Sequence, residues 1–208
     1  MSLSQTAFQD YAAQGSNRIP LMREVLADLD TPLSIYLKLA RGPYSYLLES
    51  VQGGEKWGRY SIIGLPARTI VQVRGDTITV DKDGVRVETV ESKDPLGFIR
   101  DFKARYRMPV TADLPRFTGG LVGYFGYETV GYVEPKLGGS KKSDTIDAPD
   151  ILLMVSDEVV VFDNLAGKLY VVIHVNPAVD NAYALANRRL DELIARLREG
   201  LPEPAPSS

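Results

Sequence analysis

The spacing of apolar positions changes several times along the chain, and each change marks a different element. Phe8, Tyr11 and Ala12 fall on one side of a short helix over residues 4–14, which Gly15-Ser16-Asn17 ends. Ile19-Pro20-Leu21 reads as extended, because proline steers its predecessor away from helix. Leu21, Val25, Leu26 and Leu29 then recur at helical spacing, with strand as the alternative for part of that segment. Thr31-Pro32 is a helix start, a capping hydroxyl followed by proline at the first helical position. Leu33, Tyr36, Leu37 and Ala40 form the inner face of that helix, and Gly42-Pro43 stops it.

From residue 44 to residue 91 the pattern becomes that of strands. Segments 44–50 and 56–63 flank a Gly53-Gly54 turn. Segments 69–74, 77–81 and 85–90 alternate strongly and are joined by Gly75-Asp76 and Lys82-Asp83-Gly84, which describes an antiparallel meander with one face on a core. Asp94-Pro95 opens a second capped helix, with Leu96, Ile99, Phe102 and Tyr106 inward and Pro109 at its end. Residues 107–117 connect it to the glycine-rich run Gly119-Gly120-Leu121-Val122-Gly123-Tyr124. Its glycines do not fit a phosphate-binding fingerprint and read instead as a bulge or a close backbone approach. Residues 135–149 form a polar loop. Residues 151–162 are almost continuously apolar, as in a strand covered on both faces, and a turn at 163–167 leads into a strand at 168–175. Tyr183, Ala186, Leu190, Leu193, Ile194 and Leu197 stripe the best helix of the chain, over 180–199. These elements predict an α/β fold of the α+β type, with mostly antiparallel sheets packed in a sandwich and helices outside. Residues 1–17 read as a flexible start or short helix, 18–200 as the body, and 201–208 as a proline-rich tail.

Composition narrows the function. At 208 residues, with 44% apolar and 25% charged positions, the chain has the make-up of an ordinary globular protein. A net charge of -3 gives no basic footprint for nucleic acid or an anionic membrane. Zero cysteines exclude disulfides, thiolate metal sites and a cysteine nucleophile. No apolar run approaches the ~20 residues of a membrane span, and Met1-Ser2-Leu3-Ser4-Gln5 does not read as a secretory leader. A cytoplasmic protein is the expectation.

Candidate chemistry gathers at one hairpin. Leu47 and Leu48 read as buried strand, and Glu49 and Ser50 lie where that strand leaves the core. If the next strand pairs with it, Glu49-Ser50 and Arg59-Tyr60-Ser61 become neighbours. Such a mouth suits a zwitterion, with Glu49 for an ammonium and Arg59 for a carboxylate. A solvent-exposed Glu–Arg pair of little energetic weight is the plainer alternative. The one histidine, His174, reads as structural. No serine–histidine–acid set, metal cluster or carboxylate pair is visible, so the residues by themselves define no catalytic site.

Several ordered motifs carry a resemblance. Ile19-Pro20-Leu21, Asp28-Leu29-Asp30-Thr31-Pro32, Leu47-Leu48-Glu49-Ser50, Arg59-Tyr60-Ser61 with Gly64, the 119–124 glycine run and Pro149-Asp150 follow one another in the chain. In this order they resemble the amino-terminal part of anthranilate synthase component I. The related aminodeoxychorismate synthase component I shares the glycine-rich run and is the second match. The resemblance implies a regulatory domain without catalytic residues of its own, the chorismate-binding catalytic domain and its Mg²⁺ lying in a carboxyl-terminal part absent from these residues. It further implies a glutamine amidotransferase partner, component II, and L-tryptophan as feedback inhibitor. On this resemblance Glu49, Ser50 and Leu48 line the tryptophan site, joined by Arg59 and Tyr60. A scaffold that contacts component II without sensing a ligand is the remaining alternative.

Overall fold

A computed structural model describes residues 3–27, 30–52, 56–111, 114–137 and 146–201; the side chains of residues 50–52, 56, 57 and 135 also lie outside the description. In order, the chain forms α1 (Gln5–Ala13), β1 (Ile19–Leu26), α2 (Pro32–Ile35) continued by a π-helical turn (Tyr36–Ala40), β2 (Tyr46–Gln52) and β3 (Lys56–Gly64). It continues with β4 (Thr69–Arg74), β5 (Thr77–Lys82), β6 (Val85–Glu91), α3 (Pro95–Ala104), β7 (Gly120–Phe125) and α4 (Val130–Val133). The last elements are β8 (Ile151–Ser156), β9 (Glu158–Asp163), β10 (Lys168–Val175) and α5 (Ala182–Leu197). The chain divides into two compact units, Met1–Pro66 with Arg107–Gly119 and Ser156–Ser208, and Ala67–Tyr106 with Gly120–Val155.

The first unit carries a five-stranded sheet in the order β1-β10-β9-β3-β2. Its described pairings are all antiparallel. Alternation along these strands sends Leu21, Ile63, Val160 and Val171 to one face, where they join Leu190 and Leu193 of α5 in a single apolar cluster. Each such fully buried aliphatic side chain contributes roughly 1.5–3 kcal/mol. Local chemistry sets the helix starts. Thr31 Oγ1 accepts from the Ser34 amide (3.1 Å), and Ser34 Oγ accepts from the Thr31 amide (3.0 Å), a reciprocal cap. The end of α5 is held to the π-helical turn. Lys38 Nζ donates to the Leu197 carbonyl (2.8 Å), and the Arg196 guanidinium donates to the Lys38 carbonyl (2.7 Å).

The second unit carries a five-stranded sheet in the order β6-β5-β4-β8-β7. Val71, Val73, Ile78, Ile151 and Leu153 pack there with Phe102 of α3. Asp150 accepts from the Gly75 amide and from the Tyr132 hydroxyl, both at 2.7 Å, which fixes the β4–β5 turn. Gly123 meets the expectation of a close backbone approach, since a side chain there would run into the Leu152 carbonyl.

The antiparallel α+β class expected from the sequence is the class observed. Four local expectations change. The 151–162 run is two strands, β8 and β9, which meet at Asp157 and enter different sheets. The segment after Pro20 is strand β1, whose burial gives way to alternation beyond Met22, because it pairs along its whole length with β10. Leu48 is 49% exposed, because β2 is the last strand in its sheet. Helix α3 ends at Ala104, and a short α4 occupies part of a stretch that carried no periodic signal.

Candidate functional site

The β2–β3 hairpin begins as a regular ladder. Tyr46 lies opposite Gly64, Leu47 opposite Ile63, Leu48 opposite Ile62 and Glu49 opposite Ser61. The register then slips, and the next pairs are Val51 with Trp57 and Gln52 with Lys56. One residue of β2, Ser50, therefore faces three of β3, namely Gly58, Arg59 and Tyr60. This is a bulge, a device that bends a strand and re-aims its side chains, and bulges are over-represented beside functional sites.

The bulge has its own supports. Its amides and carbonyls are out of step with β2, so they need other partners. Asn164, the residue after β9, supplies them. Its amide donates to the Arg59 carbonyl (2.8 Å), and its side-chain Nδ2 donates to the Gly58 carbonyl (2.9 Å) and to Ser61 Oγ (3.2 Å). Ser61 is only 1% exposed, so this hydroxyl is satisfied inside the protein. Asp163 then takes the Arg59 guanidinium, accepting from Nε (3.2 and 3.3 Å) and from Nη2 (2.9 Å). It also accepts from the Leu165 and Ala166 amides, both at 3.1 Å. Burial works against the Asp163 charge, but the guanidinium and the two amides outweigh it and hold the carboxyl below its usual range. The hydrogen bond to Asp163 in turn raises Arg59. The guanidinium also lies 4.9 Å from the centroid of the Tyr60 ring.

The expected site residues distribute as follows. Glu49 is exposed, Tyr60 half-buried, and Arg59 and Tyr60 lie in the bulge opposite Ser50. Leu48 and Glu49 alternate on the pleat and leave β2 on opposite faces. Because β2 ends the sheet, both border its outer flank. The Ser50 side chain lies outside the described residues. Glu49 and Arg59 form no described ion pair; the guanidinium partner is Asp163.

Two residues of this site escaped the sequence reading. Asp163 and Asn164 open the tight turn before Gly167 and carried only a turn signal, since nothing local marks their reach to β3. The far end of β2 is anchored separately. The Tyr46 ring fills the space beside Gly64, and its hydroxyl meets Ser156 Oγ at 2.8 Å. His174 is buried, with Nε2 at 2.8 Å from the Thr118 carbonyl, in keeping with a structural role. Among the described residues no group of three or more histidines or carboxylates could hold a metal ion, and no helix is long and apolar enough to cross a membrane.

The chain is similar over nearly all its length to anthranilate synthase component 1. It is 57% identical to the Pseudomonas aeruginosa protein over 95% of this chain, 49% to that of Neisseria meningitidis serogroup C over 97%, and 40% to that of Aquifex aeolicus over 90%. It spans 40%, 42% and 38% of the length of those relatives. The crystal structure of anthranilate synthase component I from Streptococcus pneumoniae shares the fold, with a TM-score of 0.50 and 24% identity, over 88% of this chain and 37% of that one. No protein-family model matches.

Proposed function

We propose that this chain is the tryptophan-sensing region of an anthranilate synthase component I. In that reading the full polypeptide converts chorismate and ammonia, drawn from glutamine by component II, into anthranilate and pyruvate in the cytoplasm. The names of the relatives support the tryptophan branch over the folate branch. The observation that carries the sensing role is the bulge, which sets Ser50 against Arg59 and Tyr60 next to an exposed Glu49 on an edge strand.

Glu49 would receive the ligand ammonium, with Ser50 beside it. Leu48 and Tyr60 would offer apolar surface to the indole. Arg59 would face the carboxylate with the edge of its guanidinium that Asp163 leaves, both Nε and Nη2 being engaged already. Regulation then follows from unequal affinity. Tryptophan favours one arrangement of the polypeptide over its chorismate-competent one, and it shifts the population by no more than that difference in affinity. The test is feedback inhibition in the full-length enzyme. Glu49→Ala and Ser50→Phe are expected to raise the tryptophan concentration needed for inhibition while uninhibited turnover stays close to the parent. Equal loss of uninhibited turnover, or unchanged inhibition, refutes the proposal.

A further inference from the structure

A carboxylate at a sheet edge selects an ammonium more strongly when its backbone is preorganised, and the β2–β3 ladder breaks immediately after Glu49. The strand opposite Glu49 is therefore fixed from its other side. Ser61, the register partner of Glu49, takes a hydrogen bond from Asn164, and the same Nδ2 holds the Gly58 carbonyl. The Asn164 amide holds Arg59 through its carbonyl, and Asp163 holds it through its guanidinium. Asp163 is itself tied to its own turn by the Leu165 and Ala166 amides, with its side chain 2% exposed. The turn after β9 thus reaches across to β3 and holds Gly58, Arg59 and Ser61.

We infer that Asp163 and Asn164 are positioning residues for the amino-acid site, acting through β3 to set the bulge that presents Glu49, Ser50 and Tyr60. Neither residue contacts the ligand. This inference rests on the sensing reading above and adds the origin of its selectivity for a free α-ammonium. An asparagine suits the task because one side-chain amide can donate twice, here to a carbonyl and to a hydroxyl. Loss of that amide leaves the Gly58 carbonyl and Ser61 Oγ without their donor, and the bulge is free to relax toward a regular ladder.

The test uses the full-length polypeptide and two ligands, L-tryptophan and indole-3-propionate, which keeps the indole and carboxylate but lacks the ammonium. Equilibrium dialysis gives the affinity ratio. The parent is expected to prefer tryptophan, and Asn164→Ala to reduce that preference about tenfold, the usual weight of one well-placed hydrogen bond. A purely structural role would weaken both ligands alike and leave the ratio unchanged, which would overturn the inference. Arg59→Lys is the second variant. Its side chain is 56% exposed, so the substitution is compatible with folding, and it should lower the ratio by breaking the forked pair with Asp163. Any direct contact of Arg59 with carboxylate is common to both ligands and cancels. Should Asn164→Ala fail to fold, Arg59→Lys decides alone. Glu49→Gln separates the two levels. If it leaves the parental ratio intact, the sensing reading fails; if it abolishes the preference while Asn164→Ala and Arg59→Lys keep it, only the positioning role fails.

Discussion

The ring of Tyr46 occupies the space that a side chain on Gly64 would need. The two residues are directly opposite in the β2–β3 ladder, and the Tyr46 hydroxyl continues to Ser156 at 2.8 Å. Burial raises the Tyr46 phenol, with the Ser156 hydrogen bond partly offsetting it, so the group stays neutral at physiological pH. One end of the candidate strand is therefore pinned by an aromatic ring, and the other is shaped by the bulge.

Gly64→Ala should displace that ring. Overpacking of this kind costs about 1–3 kcal/mol, and the loss should appear as a lower midpoint in urea unfolding. Tyr46→Phe keeps the ring and loses only the hydroxyl contact, for which about 1 kcal/mol is expected. A Gly64→Ala protein as stable as the parent would show that the ring moves aside freely.

Asp163 predicts an acid limb. Its folded carboxyl is held low, so its contribution is present above the unfolded value of about 3.9 and is lost as the pH falls below it. Asp163→Asn should lower stability at neutral pH and flatten the decline below about pH 4. Parallel curves for parent and variant, measured by denaturant titration across that range, would refute the assignment.

His174 acts in a higher window. Burial depresses it most and Arg18 adds to the effect, against an opposing hydrogen bond to the Thr118 carbonyl. The folded state favours the neutral ring. Its contribution is therefore complete above the unfolded value of about 6.5 and is lost as the pH falls toward the depressed folded value. His174→Gln should be less stable than the parent at pH 8 and lose less between pH 7 and 5, as read from thermal midpoints.

Tryptophan binding to the 208-residue chain by itself should be weak. The chain matches about two fifths of its relatives' length, and we propose that the remainder of such a polypeptide completes the pocket. Submicromolar binding by calorimetry would overturn this and make the chain a self-sufficient receptor.

Much of the fold was legible from local signals. Asp94-Pro95, Thr31-Pro32 and the Gly75-Asp76 turn specify their own surroundings, and the structure follows them. The misreadings share a cause in tertiary position. The short polar break Ser156-Asp157-Glu158 inside an apolar run does not announce that the strand changes sheets. The exposure of Leu48 depends on β2 being an edge, which no local pattern encodes. At the site, the nearness of Glu49 to Ser61 followed from hairpin pairing, whereas the bulge did not. Its supports come from Asp163 and Asn164, about a hundred residues further along the chain.

The pairing of β1 with β10 has a consequence for how the molecule is made. Ile19 lies opposite Val175, so β1 waits for a strand that is translated much later. Until then Ile19, Leu21 and Met22, all buried at the end, remain uncovered in the nascent polypeptide. Such long-range closure makes folding slow and leaves the early chain prone to aggregation. Stop codons anywhere before residue 168 should accordingly yield insoluble products, even where every residue of the candidate site has already been translated.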